Sequence, residues 1–244
     1  MIIHVVNPNS TVAMTDKARA AAVACAAPGT RIVAGNPPAT PASIEGHADQ
    51  AGAVPAMLAL IAEAEARGAH AHVVACFDDP GLHAAREIAA GPVVGICQAG
   101  VQVAMTIAAR FSIVTTLPRS VPIIEDLVAS YGAAHHCRRV RAADLAVLDL
   151  EHAPERPFRL VAEQVQKSAR EDGAEAVILG CAGMTDLADR LTHETGVPVI
   201  ESVTAAVKLA EALAAARFRT SKVGSYAWPR DKAGGMALLR RAGV

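Results

Sequence analysis

Short runs of β-branched and aliphatic residues alternate along the chain with longer segments in which apolar residues recur every three or four positions. The short runs are typical of buried strands, and the longer segments are typical of amphipathic helices. The predicted strands are Ile2–Val6, Arg31–Ala34, His72–Ala75, Val93–Gly95, Phe111–Val114, Arg138–Val140, Ala176–Leu179 and Val197–Ile200. This alternation predicts an α/β fold with parallel sheets, because parallel strands need a crossover connection.

The predicted helices carry apolar stripes and end at glycines. The stripes are Met14, Ala18, Ala21 and Cys25, then Phe158, Val161, Val165 and Ala169, then Val203, Val207, Ala210 and Leu213. Gly68, Gly132 and Gly173 follow such segments, at positions where a helix is expected to stop.

The two halves of the chain form a weak internal repeat. In the first half a strand leads into the polar loop Asn7–Thr11, and a later strand leads into Cys76; the second half repeats this order with the loop Thr115–Ser120 and Cys181. Ser10 precedes Cys76 by 66 positions, and Thr115 precedes Cys181 by the same number. We therefore expect two similar lobes, each with hydroxyl groups and a thiol at the carboxyl ends of its strands, where open α/β sheets bind ligands.

The repeat also suggests a division of the chain. We expect an N-terminal α/β lobe over residues 1–98 and a C-terminal α/β lobe over residues 99–207. The remaining residues, 208–244, are expected to form a helix and tail that pack back on the first lobe.

Composition and charge narrow the kinds of partner. Lys and Arg number 23 against 24 Asp and Glu, for a net charge of −1. We therefore expect neither nucleic acid nor a membrane surface as a partner. The stretch without charges between Ala90 and Ala109 is interrupted by Gly, Pro and Gln, so it predicts no transmembrane segment. The first residues lack the cationic start of a secretory signal, and we expect a cytoplasmic protein.

Five separated cysteines, without signs of secretion, argue against a disulfide framework. Cys25 and Cys97 fit small buried side chains. Cys137 lies beside two histidines, but no second ligand cluster accompanies it, so we expect a solvated turn there and no metal site. Cys76 and Cys181 differ, because repeat-related positions place both at a ligand-binding edge.

The residues that follow Cys76 and Cys181 bear on their ionisation. After Cys76, Asp79 is expected to cap a helix with Pro80 at its first position. After Cys181, small residues expose backbone amides. A helix N-terminus and free amides favour a thiolate, whereas Asp78 and Asp79 oppose one at Cys76, so the order of ionisation stays open. The loop Asn7–Thr11 can cap a helix, hold a polar ring, or do both.

These motifs together resemble the aspartate/glutamate racemase superfamily and, within it, the hydantoin racemases. The resemblance covers almost the whole chain and is carried by Val5–Thr11, Ala75–Asp79, Val114–Thr116 and Leu179–Met184. It implies two pseudo-symmetric lobes, each a short parallel sheet flanked by helices, with the active site in the cleft between them. It further implies an isomerase that is a homo-oligomer, that uses no metal, pyridoxal phosphate or other cofactor, and that employs Cys76 and Cys181 as acid and base.

The resemblance and the placement of residues also suggest how the substrate is held. The expected binding residues are Asn9, Ser10, Phe77, Asp78, Thr115, Thr116, Ala182 and Gly183. The amides of Ala182 and Gly183 are the candidate donors to an oxyanion. Glutamate and aspartate racemases usually follow the first cysteine with Asn-Thr, whereas this chain has Phe77-Asp78, which favours a ring with a bulkier substituent over a free amino acid.

The expected reaction is cofactor-independent racemisation of 5-substituted hydantoins by two-base proton transfer between a thiolate and a thiol. Three alternatives stay open. The first is an allantoin racemase with the same mechanism, which a polar pocket would favour, whereas an apolar pocket with Phe77 and Met184 would favour alkyl or aryl substituents. The second is a non-catalytic small-molecule binder, and the third is a redox protein that uses Cys76 and Cys181.

Overall fold

The computed structural model describes residues 1–151 and 155–230. Its strands are β1 (Ile2–Val6), β2 (Arg31–Gly35), β3 (Ala71–Val74), β4 (Val93–Gly95), β5 (Phe111–Thr115), β6 (Cys137–Ala142), β7 (Ala176–Leu179) and β8 (Val199–Ile200). Its helices are α1 (Val12–Cys25), α2 (His47–Ala66), α3 (Leu82–Ile88), α4 (Ile96–Ile107), α5 (Val121–Ser130), α6 (Glu155–Asp172), α7 (Ala188–Thr195) and α8 (Ser202–Ala215). Every predicted strand is present, and its ends differ from the prediction by at most two residues.

The strands form two parallel sheets with the same topology. The strand order is β2-β1-β3-β4 in the first sheet and β6-β5-β7-β8 in the second. The pairing of β1 with β3 and of β5 with β7 is parallel, so the two central strands of each sheet end side by side. The predicted α/β fold of two similar lobes is confirmed, and the internal repeat corresponds to one sheet in each half.

Three predicted helix ends are also confirmed. Gly68, Gly132 and Gly173 have φ of 84°, 75° and 67° and lie at the ends of α2, α5 and α6. This left-handed conformation costs glycine little, because it lacks a Cβ.

The two sheets share one continuous hydrophobic core. Ile3 and Val73 of the first sheet belong to the same buried cluster as Ile113 and Ile178 of the second. Two helices join the lobes: α4, which leaves the first sheet, packs on β7, and α8, which leaves the second sheet, packs on β3. The expected boundaries at residues 98/99 and 207/208 therefore fall inside α4 and α8, because each of these helices covers the sheet of the other lobe.

The segment after α8 contacts the first lobe. The amide of Thr220 donates to the carbonyl of Ala90 at 3.1 Å. The Nζ of Lys222 donates to the carbonyl of Arg86 at 2.7 Å. Residues 231–244 of the expected C-terminal tail lie outside the described residues. In the parts of the chain that the structure describes, no helix is long and apolar enough to cross a membrane.

Candidate active site

Cys76 and Cys181 come from different sheets and line the same pocket. Each follows the carboxyl end of a central strand by two residues, Cys76 after β3 and Cys181 after β7. The pocket opens to solvent, and the space between its lining atoms amounts to about 390 Å³ when the solvent at its mouth is counted. All five cysteines are free thiols, and these two are partly exposed. The fold thus brings together two thiols that are 105 positions apart in sequence.

Six of the eight predicted binding residues also line this pocket. They are Asn9, Phe77, Asp78, Thr115, Thr116 and Ala182. Ser10 and Gly183 lie outside the pocket lining. The backbone amide of Ser10 donates a hydrogen bond to the carbonyl of Pro41 at 3.0 Å. The amide of Gly183 donates to the Sγ of Cys181 at 3.4 Å. Gly183 therefore contacts a predicted catalytic sulfur, and its amide is not free to serve as the expected oxyanion donor.

Six lining residues were not predicted as site residues: Met14, Ile44, Ala75, Ser120, Val147 and Gly180. Ala75 and Gly180 directly precede the two cysteines in the chain. Ser120 belongs to the polar loop of the second repeat, which was a signal available in the sequence. Met14 lies on an apolar stripe and was interpreted as core only. Ile44 comes from an irregular segment of the first lobe and Val147 begins the 3₁₀-helix Val147–Glu151 of the second, and no sequence pattern connects them. Next to Ile44, the side chain of Glu45 accepts a hydrogen bond from the amide of Val147 at 3.2 Å.

Cys181 occupies the N-terminal position of a short 3₁₀-helix, Ala182–Leu187. Its sulfur accepts the hydrogen bond from Gly183. Gly183 is packed so closely that an added Cβ would lie 2.8 Å from Leu150. A backbone amide directed at a sulfur stabilises the thiolate over the thiol. The local structure therefore favours negative charge at Cys181.

Cys76 lies in the opposite electrostatic setting. It is open to the pocket but otherwise surrounded by protein, and this burial raises the pKa of its thiol well above the ordinary value. The carboxylate of Asp78 raises the pKa further, against the backbone amide of Asp78, which lowers it. The charge of Cys181 raises the pKa of Cys76 as well, so the two sulfurs are close enough for each to oppose ionisation of the other. These contacts oppose the state in which both thiols are ionised at once.

Asp78 is itself held in place from α2. The side-chain Nε2 of Gln50 donates a hydrogen bond to the Oδ2 of Asp78 at 2.8 Å. Burial raises the pKa of Asp78, while the bond from Gln50 opposes that change. The pocket therefore presents an oriented carboxyl group beside Cys76.

The expected helix cap at Asp79 is wrong. Helix α3 begins at Leu82 rather than at Pro80, and Asp79 adopts a left-handed φ of 43°. Its carboxylate instead accepts hydrogen bonds from the amides of Cys97 at 3.1 Å and Gln98 at 2.9 Å, at the start of α4. The cause is topological: β3 and β4 are neighbours in the sheet, so the loop after β3 lies against the beginning of the helix after β4.

The remaining cysteines lie away from the pocket lining. Cys97 is fully buried and Cys25 is partly buried, as expected. The prediction of a solvated turn at Cys137 is wrong, because Cys137 is partly buried and is the first residue of β6. In residues 1–151 and 155–230, no group of three or more His, Cys, Asp or Glu side chains is arranged to hold a metal ion.

Comparison with known proteins agrees with this arrangement. The family model for Asp/Glu/Hydantoin racemase matches residues 3–210. A hydantoin racemase of Rhizobium meliloti is 62% identical over 233 residues, which are 96% of this chain and 97% of that protein. A hydantoin racemase of Pseudomonas sp. (strain NS671) is 45% identical over 95% of this chain and 93% of its own length.

A solved structure shows the same fold over the full length. The allantoin racemase from Klebsiella pneumoniae superposes with a TM-score of 0.95 at 46% identity, covering 98% of each chain. A non-catalytic binder and a redox protein, the two alternatives from other functional classes, are set aside by these relatives. The chain belongs to the Asp/Glu/Hydantoin racemase family and is a racemase.

Proposed function

We propose that this racemase inverts 5-substituted hydantoins and that Cys76 and Cys181 are its acid and base. The observation that supports the proposal most strongly is the pocket that receives one thiol from each sheet. C5 of a hydantoin is bonded to a ring carbonyl, so loss of its proton gives a planar enolate with charge on the carbonyl oxygen. Two thiols on opposite faces of the ring can invert C5 without a cofactor.

In the proposed reaction the Cys181 thiolate removes the C5 proton, and its C–H electron pair moves into the enolate. The Cys76 thiol then delivers its own proton to the opposite face of C5. At the end Cys181 is a thiol and Cys76 a thiolate, which is the state required for the opposite enantiomer. The Gly183 amide at Cys181 and the Asp78 carboxylate near Cys76 favour the starting state of this sequence.

Hydroxyl groups of the second lobe are the proposed partners of the ring oxygen. Thr116 and Ser120 are buried at 3% and 5% exposure and line the pocket. Within the described residues, neither hydroxyl has a hydrogen-bond partner, whereas the Thr115 hydroxyl donates to the carbonyl of Gly180 at 3.2 Å. A buried hydroxyl without a partner is costly, and a bound carbonyl would satisfy it. The amide of Ala182 is a further donor at the same edge.

The apolar side chains of the pocket lining support an alkyl or aryl substituent on C5. Met14, Ile44, Phe77 and Val147 contribute side chains to its lining. Met184, which was expected there, is fully buried outside the lining. Burying a benzyl or isobutyl substituent against these residues contributes binding energy in proportion to its apolar area.

Allantoin is the second candidate substrate, because its ureido group needs polar partners. Asn9 and Asp78 line the pocket and could bind such N–H groups. The structural similarity to the Klebsiella allantoin racemase favours the same candidate.

Chiral turnover of L- and D-5-benzylhydantoin beside allantoin distinguishes the two substrates. We expect the higher kcat/KM with benzylhydantoin. A higher value with allantoin would reassign the substituent and leave the two-thiol mechanism intact. Failure to invert either compound would overturn the proposed substrate class.

Serine variants of the two cysteines test the mechanism in D₂O. We expect Cys76→Ser and Cys181→Ser each to lower racemisation by roughly 10²- to 10⁴-fold, since each loses one acid/base group. Each variant should retain C5 exchange with one enantiomer only, and the two variants should retain opposite enantiomers. Cys25→Ser is the matched control, because Cys25 lies outside the pocket lining, at the end of α1, where its sulfur donates to the carbonyl of Ala22 at 3.4 Å. Racemisation at the wild-type rate in both site variants would contradict the mechanism.

A further inference from the structure

Asp79 lies three residues after Cys76 and is bonded on several sides. It is 5% exposed. Its own amide donates to the carbonyl of Cys76 at 3.1 Å, which closes a turn around the thiol. Its carboxylate receives the amides of Cys97 and Gln98, so the loop that carries Cys76 is attached to the first turn of α4.

A second attachment reaches the other lobe. The hydroxyl of Tyr131, at the end of α5, donates to the Oδ2 of Asp79 at 2.7 Å. Tyr131 follows β5 in the chain and therefore belongs to the half of the molecule that supplies Cys181. One carboxylate thus connects the Cys76 loop to both lobes.

The backbone around Asp79 is adapted to this contact. A non-glycine residue rarely adopts the left-handed φ of 43° found at Asp79. At Gly95, an added Cβ would lie 2.3 Å from the carboxylate, so only glycine lets the carboxylate approach α4 this closely. Burial raises the pKa of Asp79 to about 7, against the bonds from Tyr131, Gln98 and Cys97 and the charge of Arg86. The left-handed backbone and the buried carboxylate both destabilise the fold, although Asp79 lies outside the pocket lining.

Helix capping alone does not explain the arrangement. In the second lobe, α8 occupies the place of α4, and its first amides are capped by the adjacent Glu201, which receives Val203 at 2.7 Å and Thr204 at 2.6 Å. The position 105 residues after Asp79 is Met184, which is apolar and fully buried. In the first lobe the first amides of the helix are therefore capped by a residue of the loop that carries the thiol, whereas in the second lobe they are capped by the residue that directly precedes the helix.

We propose that Asp79 is a positioning residue for Cys76, which fixes the thiol loop to α4 and, through Tyr131, sets the placement of Cys76 relative to Cys181. This role rests on the proposed two-thiol mechanism. A misplaced Cys76 still leaves Cys181 able to remove the C5 proton, but it impairs delivery of a proton to the opposite face. The measurable consequence is C5 exchange that is not accompanied by inversion.

The test compares Asp79→Asn, Tyr131→Phe and Asp172→Asn in D₂O with the enantiomer that Cys181 deprotonates, identified as the one that Cys76→Ser still exchanges. For Asp79→Asn we expect kcat for inversion to fall by about 10- to 100-fold, as a displacement near 1 Å would cause. The ratio of exchange without inversion to inversion should rise at least several-fold, and Tyr131→Phe should change both quantities in the same direction by less. Asp172→Asn is the matched control, since Asp172 is a buried carboxylate bonded to Arg141 at 2.7 Å outside the pocket lining.

Alkylation by iodoacetamide gives a readout that needs no substrate. We expect Asp79→Asn to change the labelling rate of Cys76 severalfold relative to that of Cys181, both identified by peptide mass. The labelling tests the positioning role even when no hydantoin is turned over, so failure of the proposed function is distinguishable. Wild-type exchange ratio, kcat and labelling in a folded Asp79→Asn variant would overturn the role. Where Asp79→Asn does not fold, the same outcome in Tyr131→Phe would overturn it.

Discussion

Single charges and amides beside the sulfurs make the two thiols unequal. Cys181 receives the amide of Gly183, whereas Cys76 faces the carboxylate of Asp78. The strands that lead to the two cysteines are equivalent by topology, whereas the residues that follow the two cysteines differ. This asymmetry supports the proposed starting state of one thiol and one thiolate, which two-base proton transfer requires.

Removing the charge of Asp78 should make Cys76 ionise more readily. In Asp78→Asn we expect the pKa of Cys76 to fall, because a negative charge that opposes the thiolate is lost while the side-chain size is kept. The pH dependence of iodoacetamide labelling at Cys76 should shift to lower pH. Asp126→Asn, an exposed position on α5, should leave that dependence unchanged. An unchanged or upward shift in Asp78→Asn would contradict the electrostatic assignment.

The sequence predicted the thiols but not the destination of every side chain near them. Cys76, Cys181 and six binding residues could be placed because strand ends and repeat spacing locate them along the sheet edge. The contact of Asp79 with α4 could not be placed in this way. It depends on the side-by-side position of β3 and β4, which a local pattern of caps and prolines does not contain.

Among the secondary-structure elements, strands were easier to predict than the first residues of helices. The buried strand β7 is a continuous apolar run, and β1 is apolar except for His4, so both stand out from the polar residues around them. Helix starts depend on which group receives the free amides, and that group can be local or remote. Helices α4 and α8 illustrate both cases, with Asp79 as a remote acceptor and Glu201 as a local one.

The local cap of α8 should contribute measurably to stability. Glu201→Ala removes the acceptor for two first-turn amides, and we expect the free energy of unfolding to fall by about 1–2 kcal/mol. Urea denaturation measures the change. Glu163→Ala, which removes an exposed ion pair with Lys167 one helical turn away, should cost no more than about 0.5 kcal/mol. Equal effects of the two variants would show that the cap is not a stabilising contact.

At the scale of the whole molecule, three titratable side chains of the first lobe are linked in a chain: His4 of β1 and His72 of β3, both buried, and the partly buried Glu65 of α2. The Nδ1 of His4 lies 3.1 Å from the Nδ1 of His72, and the Nε2 of His72 lies 2.9 Å from the Oε1 of Glu65. Burial lowers the pKa of His4 to about 3, and the charge of His72 lowers it further. His4 is therefore neutral in the folded protein over a range in which it is protonated in the unfolded chain.

This difference predicts that acid destabilises the fold through His4. Between about pH 6.5 and pH 3 the unfolded state binds one more proton at this residue, so its contribution to stability falls by about 1.4 kcal/mol per unit of decreasing pH. In His4→Asn that part of the slope should disappear from urea denaturation measured at several pH values. The exposed His193→Asn should keep the wild-type slope. A wild-type slope in His4→Asn would mean that His4 is protonated in the fold.

The shared core also bears on the proposed inversion of C5. Side chains of both sheets pack in one core. The distance between the two lobes, and so between their thiols, is therefore set by close-packed apolar side chains. The proposed inversion then depends on the packing of the core as well as on the two thiols. A cavity opened in the core far from C5, at Ile113 or Ile178 for example, would therefore loosen the spacing between the two thiols on either side of the ring.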